Sequence, residues 1–569
     1  MKNIDGPRVA LSRRQVIEGA AALGAVLPGL QARADDATAA PHNVLLIITD
    51  EESRHLRPAD GYTLDARAEL ERRGTVFENH YIGAAMCTPS RGVMFSGQPP
   101  QVNGVFDQME AGYVPSLPRD TPSIGNVFKA LGYATAYFGK FELKKSIVKV
   151  EDTVNYTDAL TDYGFDHFAP DGDKVGAPDQ GYRTDTYTAA EAIRWMRTHG
   201  QALNAAGTPW LLIVSFVSPH DVMYADVNRA GSTEQQSAVG QTILPPTEDA
   251  GFERQWTFAP SASADQPMDA PGRPRAHLSY MVGWSAFLGE IPVQATGMWR
   301  DYYNFYLNLI ADNDRTLAGV LDTLTALDLW SSTVVVRTAD HGELGGDHGG
   351  LRGKGPLPYE AESHVPLVVV HPDRPGGRRC QALTSHIDLL PSLVGLAGVP
   401  RAQAAAQISG LPGKDFSVLL DDPASAKPTA LRQAVLFNYV GLQTIDSLYM
   451  MRVCRAIASG QPLAPFSEAR PDVSRRGFVN FVYDGQHKYA RYFSPLELTN
   501  RPTTYDAVME NFEIELFDLA ADPDEMVNLG IRTDARDLVE RMNGLLNGML
   551  EEEVGPASAD FLPAGVLPG

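Results

Sequence analysis

Asn43-Val-Leu-Leu-Ile-Ile-Thr49 is apolar almost without interruption and then breaks into Asp50-Glu51-Glu52. A run of strand length with no polar alternation predicts a strand covered on both faces, as in a parallel sheet. Trp210 to Val217 repeats the pattern and ends at Ser218-Pro219-His220; Thr333 to Arg337 repeats it again and ends at Thr338-Ala339-Asp340-His341. Ala134 to Phe138, ahead of Gly139-Lys140, and Pro366 to Val370 predict two further strands. Between them the apolar spacing becomes helical: Leu64 to Arg73, stopped by Gly74; Ser123 to Leu131, stopped by Gly132; and a long helix near 299–327. The small and apolar stretch after Cys87 also reads as a helix. Strands alternating with helices predict an α/β domain, a large mainly parallel sheet sandwiched by helices.

Past residue 430 the texture changes. The segment 478–492 has two β-rich arms around Asp484-Gly485, a hairpin signal; Phe512 to Leu519 reads as a strand and Leu538 to Glu552 as a helix. This predicts a smaller C-terminal α+β domain on an antiparallel sheet. Residues 222–298, rich in Pro, Ser, Gln and Gly and without a period, read as a long insertion on the substrate side. At the N-terminus, Ser12-Arg13-Arg14 precedes a weakly apolar run from Gly19 to Leu30 that ends in Ala32-Arg33-Ala34. That is the pattern of a secretory signal of the twin-arginine type, too short to span a membrane. The expected organisation is a signal peptide over 1–34, a catalytic α/β domain over 35–430 and an α+β subdomain over 431–569, in a periplasmic or secreted bacterial protein.

A formal net charge of −22 argues against nucleic acid or an anionic membrane as partner, and requires a local basic pocket if the ligand is an anion. Three cysteines, Cys87, Cys380 and Cys454, make no disulfide framework and no zinc finger; Cys380 and Cys454 read as buried thiols rather than a bridge. Polar residues gather just past the predicted strands, at Asp50, Lys140, His220, Asp340 and His341, the edge where ligands bind in open α/β sheets. Asp50 and Asp340, with Glu51 and His341 beside them, suit a divalent cation such as Ca²⁺, Mg²⁺ or Mn²⁺. Arg91, Lys140, His220 and Lys354 lie in Gly- or Pro-containing segments suited to meeting an anion.

Cys87-Thr-Pro-Ser-Arg91 followed by Ser96-Gly97 resembles the signature of the type I sulfatases of the alkaline phosphatase superfamily. Gly139-Lys140-Phe141, Ser218-Pro219-His220, Asp340-His341-Gly342-Glu343, Gly346-Asp347-His348-Gly349, Gly353-Lys354-Gly355 and Val365-Pro366-Leu367 resemble later motifs of that family in order, as do Asp388 to Leu393 and Glu515 to Asp518. The resemblance implies an alkaline phosphatase-like fold and oxidation of Cys87 to Cα-formylglycine by a formylglycine-generating enzyme. It further implies hydrolysis of sulfate esters through a covalent sulfated intermediate, with Arg91, Lys140, His220 and Lys354 as catalytic partners. The implied divalent cation, Ca²⁺ first and then Mn²⁺ or Mg²⁺, is held by Asp50, Glu51, the residue-87 side chain, Asp340 and His341. The substrate class is a carbohydrate, aryl or alkyl sulfate. Asp340-His341 resembles the branch that includes choline sulfatases and phosphonate monoester hydrolases. A phosphonate or phosphodiester hydrolase with the same site, and an inactive binding homologue, are the rival readings. Glu142 stands where many relatives have histidine. Beside Lys140 and a cation its carboxyl is expected to stay ionised and act as a base; the alternative is a pairing with Lys144 or Lys145.

Overall fold

The computed structural model describes residues 40–147, 159–168, 173–228, 233–237, 242–246, 248–461, 470–556 and 559–567. The expected signal peptide at 1–34 lies outside the described residues. Eight strands form the larger sheet in the order β4-β3-β5-β1-β6-β7-β2-β8. They are β1 (Asn43–Asp50), β2 (Thr75–Tyr81), β3 (Ala134–Gly139), β4 (His167–Phe168), β5 (Trp210–Pro219), β6 (Thr333–Ala339), β7 (Leu367–Val370) and β8 (Arg378–Ser385). β1 runs parallel to β5 on one side and to β6 on the other, with Leu45 opposite Leu212 and Val335. β3 continues the parallel set beyond β5. β7 alone is antiparallel to its neighbours β6 and β2.

The continuous apolar run of β1 follows from this placement. Successive side chains alternate between faces, and both faces are covered. Val44, Leu46 and Ile48 pack with Met94, Phe95 and Phe128 on one face. Leu45 and Ile47 pack with Leu70, Trp195 and Leu321 on the other. The helices responsible include α1 (Asp65–Arg73), α2 (Cys87–Ser96), Ile124–Ala130, Gln180–Trp195 and Thr296–Ala326. Because β1, β3, β5 and β6 are parallel, their C-terminal ends open on one edge, where Asp50, Lys140, His220 and Asp340 are found.

A second sheet is fully antiparallel, in the order β12-β11-β10-β9. It consists of β9 (Val435–Tyr439), β10 (Phe478–Tyr483), β11 (His487–Phe493) and β12 (Glu513–Asp518). The helix Arg536–Glu553 covers one face through Val539, Met542 and Leu546. The other face, with Phe437, Val479 and Phe481, packs against Tyr280, Trp284 and Met450. All three cysteines are free and buried, so Cys380 and Cys454 form no bridge. The stretch 222–298 contains a helix, Arg275–Leu288, that the sequence pattern did not predict.

Candidate active site

Cys87 is the first residue of α2 and is wholly buried. Its Sγ lies 3.1 Å from His341 Nε2 and 3.8 Å from Asp50 Oδ1. His341 Nδ1 lies 3.0 Å from the Gly342 carbonyl, which takes the ring proton there and leaves the Nε2 lone pair facing the cluster. His341 Nε2 is also 3.5 Å from Asp50 Oδ1 and 3.7 Å from Asp340 Oδ1.

Arg91 lies one turn further along α2 and is also wholly buried. Its Nε donates to Asp340 Oδ2 at 2.9 Å, and Nη2 stands 3.6 Å from Asp50 Oδ2. Nη1 donates to the Lys140 carbonyl and to Ser215 Oγ. Lys140 Nζ takes Asp50 Oδ2 at 2.5 Å. The Oδ2 atoms of both aspartates are therefore held by cations, while both Oδ1 atoms turn toward His341 Nε2. Ligand atoms of Asp50, Cys87, Asp340 and His341 all lie within 4.8 Å of one another, and Asp50, Glu51 and His220 form a second such group. Glu51 Oε1 is buried and has no hydrogen-bond partner. Carboxylates with one imidazole suit a hard or borderline divalent cation, so these residues fit one.

Burial alone would raise the Asp50 carboxyl, but Lys140, His220, His341 and Arg91 outweigh it and hold it well below the usual carboxylate range. Burial, and after it Asp50, push the Cys87 thiol well above the ordinary value. Burial pulls the His220 imidazole down, reinforced by Lys354. Burial opposes the charge of Lys354, yet Cys87, Glu51 and Asp50 raise it overall.

Backbone devices set these side chains. Gly139 has φ +100°, and a Cβ there would meet the Ser215 carbonyl oxygen at 1.9 Å; the absent side chain lets Lys140 N–H donate to that oxygen. Lys354 is clamped on both flanks, with Gly353 N–H donating to Glu343 and Gly355 N–H to Glu362. Its Nζ donates to Glu51 Oε2 at 2.7 Å. His220 follows β5 and lies 3.8 Å from the same carboxylate oxygen.

Glu142 stands beside Lys140, as expected, and away from Lys144 and Lys145, but its ionisation departs from the expectation. Its carboxylate pairs with Lys140 at 3.0 Å, while Lys144 donates to the Ala159 carbonyl and Asp162, and Lys145 to the Ala111 and Gly112 carbonyls. Burial pushes its carboxyl above the ordinary value even though Lys140 opposes the shift. The site also uses residues that no motif announced. Ser215 braces Arg91, and Asp173 accepts the N–H groups of Phe141 and Glu142 at 2.7 Å each. Glu343 was visible only as part of a motif, without its role as a clamp. Conversely, His348 stacks on Tyr359 and bonds Gln266, outside the site.

His220, Met223 and Lys354 border a cavity of about 890 Å³, which Met86, next to Cys87, also lines. Among the described residues, no helix is long and apolar enough to cross a membrane.

Arylsulfatase K of Gallus gallus is 24% identical over 478 residues, covering 81% of this chain and 74% of that protein. The Delta 4,5-hexuronate-2-O-sulfatase of Bacteroides thetaiotaomicron is 23% identical, covering 68% and 74%. The fold is shared with a 2-O GAG sulfatase structure at a TM-score of 0.62 and 19% identity, covering 90% and 93%. It is also shared with the phosphonate monoester hydrolase of Agrobacterium radiobacter, at 0.61 and 20%, covering 90% and 95%. The Sulfatase family model matches residues 42–399, the span from the first strand to beyond the Asp388 motif. The chain therefore belongs to the sulfatase family, sulfuric ester hydrolases of the alkaline phosphatase superfamily.

Proposed function

We propose that the protein hydrolyses a sulfate ester to an alcohol and inorganic sulfate with residue 87, converted to formylglycine, as nucleophile. The observation that supports this most directly is the convergence of Cys87, Asp50, Asp340 and His341 beneath a cavity bordered by His220 and Lys354. In this reading a formylglycine-generating enzyme converts Cys87 to an aldehyde, which supplies a hydrated, two-hydroxyl nucleophile. Asp50, Asp340, His341 and the residue-87 side chain, with Glu51 at the edge, would hold a divalent cation, Ca²⁺ in first place and Mn²⁺ or Mg²⁺ next. That ion would supply positive charge against an anionic ester.

One residue-87 hydroxyl oxygen bonds to sulfur as the bond from sulfur to the alcohol oxygen breaks, leaving the sulfate on residue 87. His220 or Lys354 returns a proton to the departing oxygen. The second hydroxyl then gives its proton to whichever of His220 and Lys354 protonated the departing oxygen, the carbon–oxygen bond to sulfate breaks, and the aldehyde is restored. Arg91 acts as a positioning residue on the two aspartates, since it is enclosed on every side. Arg13-Arg14 supports export to the periplasm or beyond.

The phosphonate monoester hydrolase of like fold supports a second reading, in which the same groups accept a phosphonate monoester. Sulfate release from phenyl sulfate, compared with phenol release from phenyl phenylphosphonate, separates the two. The Cys87 peptide of active protein is expected to show the mass change from CH₂–SH to CHO. Cys87→Ala is expected to lose at least about 10³-fold in rate. Full activity from protein carrying only the free thiol would sink the mechanism.

A further inference from the structure

We propose that the alcohol part of the substrate is a large hydrophobic one, aromatic or polycyclic and bearing a single sulfate, rather than a polyanionic sugar chain. This rests on the sulfatase reading above and concerns what fills the 890 Å³ cavity beyond His220 and Lys354. That volume is typical of a site that encloses a drug-sized molecule.

Three elements supply its large apolar side chains, and the segments 108–113 and 175–178 with Gln443 complete the lining, bringing the amides of Gln108 and Gln443. The turn after β5 contributes Met223 and Tyr224, the helix Arg275–Leu288 contributes Trp284 and Phe287, and the helix Ser447–Ala458 contributes Val453 and Ile457. These are aromatic, thioether and branched aliphatic groups, the chemistry that takes up a flat apolar ring system. Ile457 lines the cavity and is 42% exposed although it is large and apolar. Met86, immediately before the nucleophile position, lines the same space and continues the apolar surface to the reacting residue.

The charge on the walls points the same way. Besides Lys354 and His220 at the floor, the charged lining residues are Glu110 and Arg452, which are opposite in sign. A second sulfate or a uronate carboxylate would find no excess of positive charge, in a molecule with a formal net charge of −22. Sugar hydroxyls pressed on Phe287, Val453 and Ile457 would lose water without gaining hydrogen bonds there. A second cavity, of about 460 Å³, shares Trp284 but borders none of the site residues.

The test is a series of monosulfates whose leaving groups differ little in acidity: phenyl, 2-naphthyl and a tetracyclic phenol sulfate. Glucosamine 6-sulfate and a disulfated chondroitin disaccharide complete the set. The value of kcat/KM is expected to rise at least about tenfold from phenyl to naphthyl, chiefly through KM, with both sugars at least about a hundredfold below naphthyl. Phe287→Ala and Ile457→Ser, on partly exposed positions, are expected to raise KM for the naphthyl ester severalfold, and more than for the phenyl ester. Equal kcat/KM for phenyl and naphthyl sulfates overturns the proposal, as does preference for either sugar, or a naphthyl KM unmoved in both folded variants. Each of those results leaves sulfate hydrolysis standing. Release of sulfate from none of the five esters overturns instead the reading beneath it.

Discussion

Glu51 and Glu142 occupy the left-handed backbone region, at φ +71° and +55°. Each lies just past a strand, is wholly buried, and places its carboxylate on a lysine: Lys354 at 2.7 Å and Lys140 at 3.0 Å. A non-glycine residue in this region costs on the order of 1–3 kcal/mol and persists only where its surroundings over-determine it. For Glu142 the restraint is Asp173, which takes two successive N–H groups. The chain Asp50–Lys140–Glu142 thus fixes the ammonium between two carboxylates. Glu142→Gln keeps an acceptor toward Lys140 but removes the charge. It is expected to lower kcat about tenfold, roughly 1.4 kcal/mol of barrier, with KM held or reduced. Glu142→Ala, which leaves Lys140 one partner fewer, is expected to lose more. Unchanged turnover in both variants across pH 6–9 would remove Glu142 from the working of the site. The strand-end residues were legible in sequence because each follows an uninterrupted apolar run. The Lys140 neighbour of Glu142 was legible too, but its burial and ionisation were not. They depend on a backbone turn and on Asp173, from a stretch with no pattern, and on burial outweighing a neighbouring lysine.

At the scale of elements, the central strands are tied to their covering helices by a buried charge cluster. Glu52, just beyond β1, accepts two hydrogen bonds from Arg67 of α1 at 2.9 and 2.7 Å, and it also meets Arg337 of β6. Arg67 reaches in turn to Asp314 of the helix Thr296–Ala326. The partners are not equivalent. Burial pulls Arg337 down further than Glu52 lifts it, whereas Glu52 and Asp314 raise Arg67 against its burial. Burial likewise opposes ionisation of Glu52, but Arg337 and Arg67 hold its carboxyl far below the ordinary 4.5. A carboxyl depressed on folding stabilises the fold above its unfolded value, and that contribution is lost as pH falls toward the folded value. Stability to urea is therefore expected to fall as pH drops below about 4.5. Glu52→Gln is expected to cost about 3–5 kcal/mol at neutral pH and to flatten that acid limb. An unaltered urea midpoint would show the cluster to be energetically idle. Continuous apolar strands such as β1, β5 and β6 were readable. β2, with Glu78-Asn79-His80 in its second half, and β8, beginning Arg378-Arg379, were not, because each carries polar residues near the sheet edge. The reversed direction of β7 was also invisible, since direction leaves no trace in a four-residue apolar run.

For the molecule as a whole, Arg432 joins distant parts of the chain. It pairs with Asp388, inside a motif shared with the family, and with Glu553 at the end of the last long helix. The resemblance of the Asp388 segment was therefore legible, but its structural use was not: its partners lie 44 and 121 residues from Arg432. The Asp50, Cys87, Asp340 and His341 group likewise draws on β1, α2 and the turn after β6, so a bound cation would tie the core together. Chelation is expected to lower the thermal midpoint along with activity, on the order of 2–3 kcal/mol for a site near hundredfold saturation. Asp340→Asn is expected to blunt that response, and a midpoint indifferent to chelator would argue that no cation is held there. The burial of α2 has a further consequence. Cys87, Thr88, Ser90 and Arg91 are all 0% exposed, and Pro89 is buried with them. On the proposed conversion of Cys87, an enzyme gripping this segment would meet it only before the sheet closes over it. Maturation on that proposal would be a race between two clocks, the modifying enzyme's turnover on the nascent chain and the chain's own collapse. A molecule that folds first keeps its thiol for as long as it stays folded.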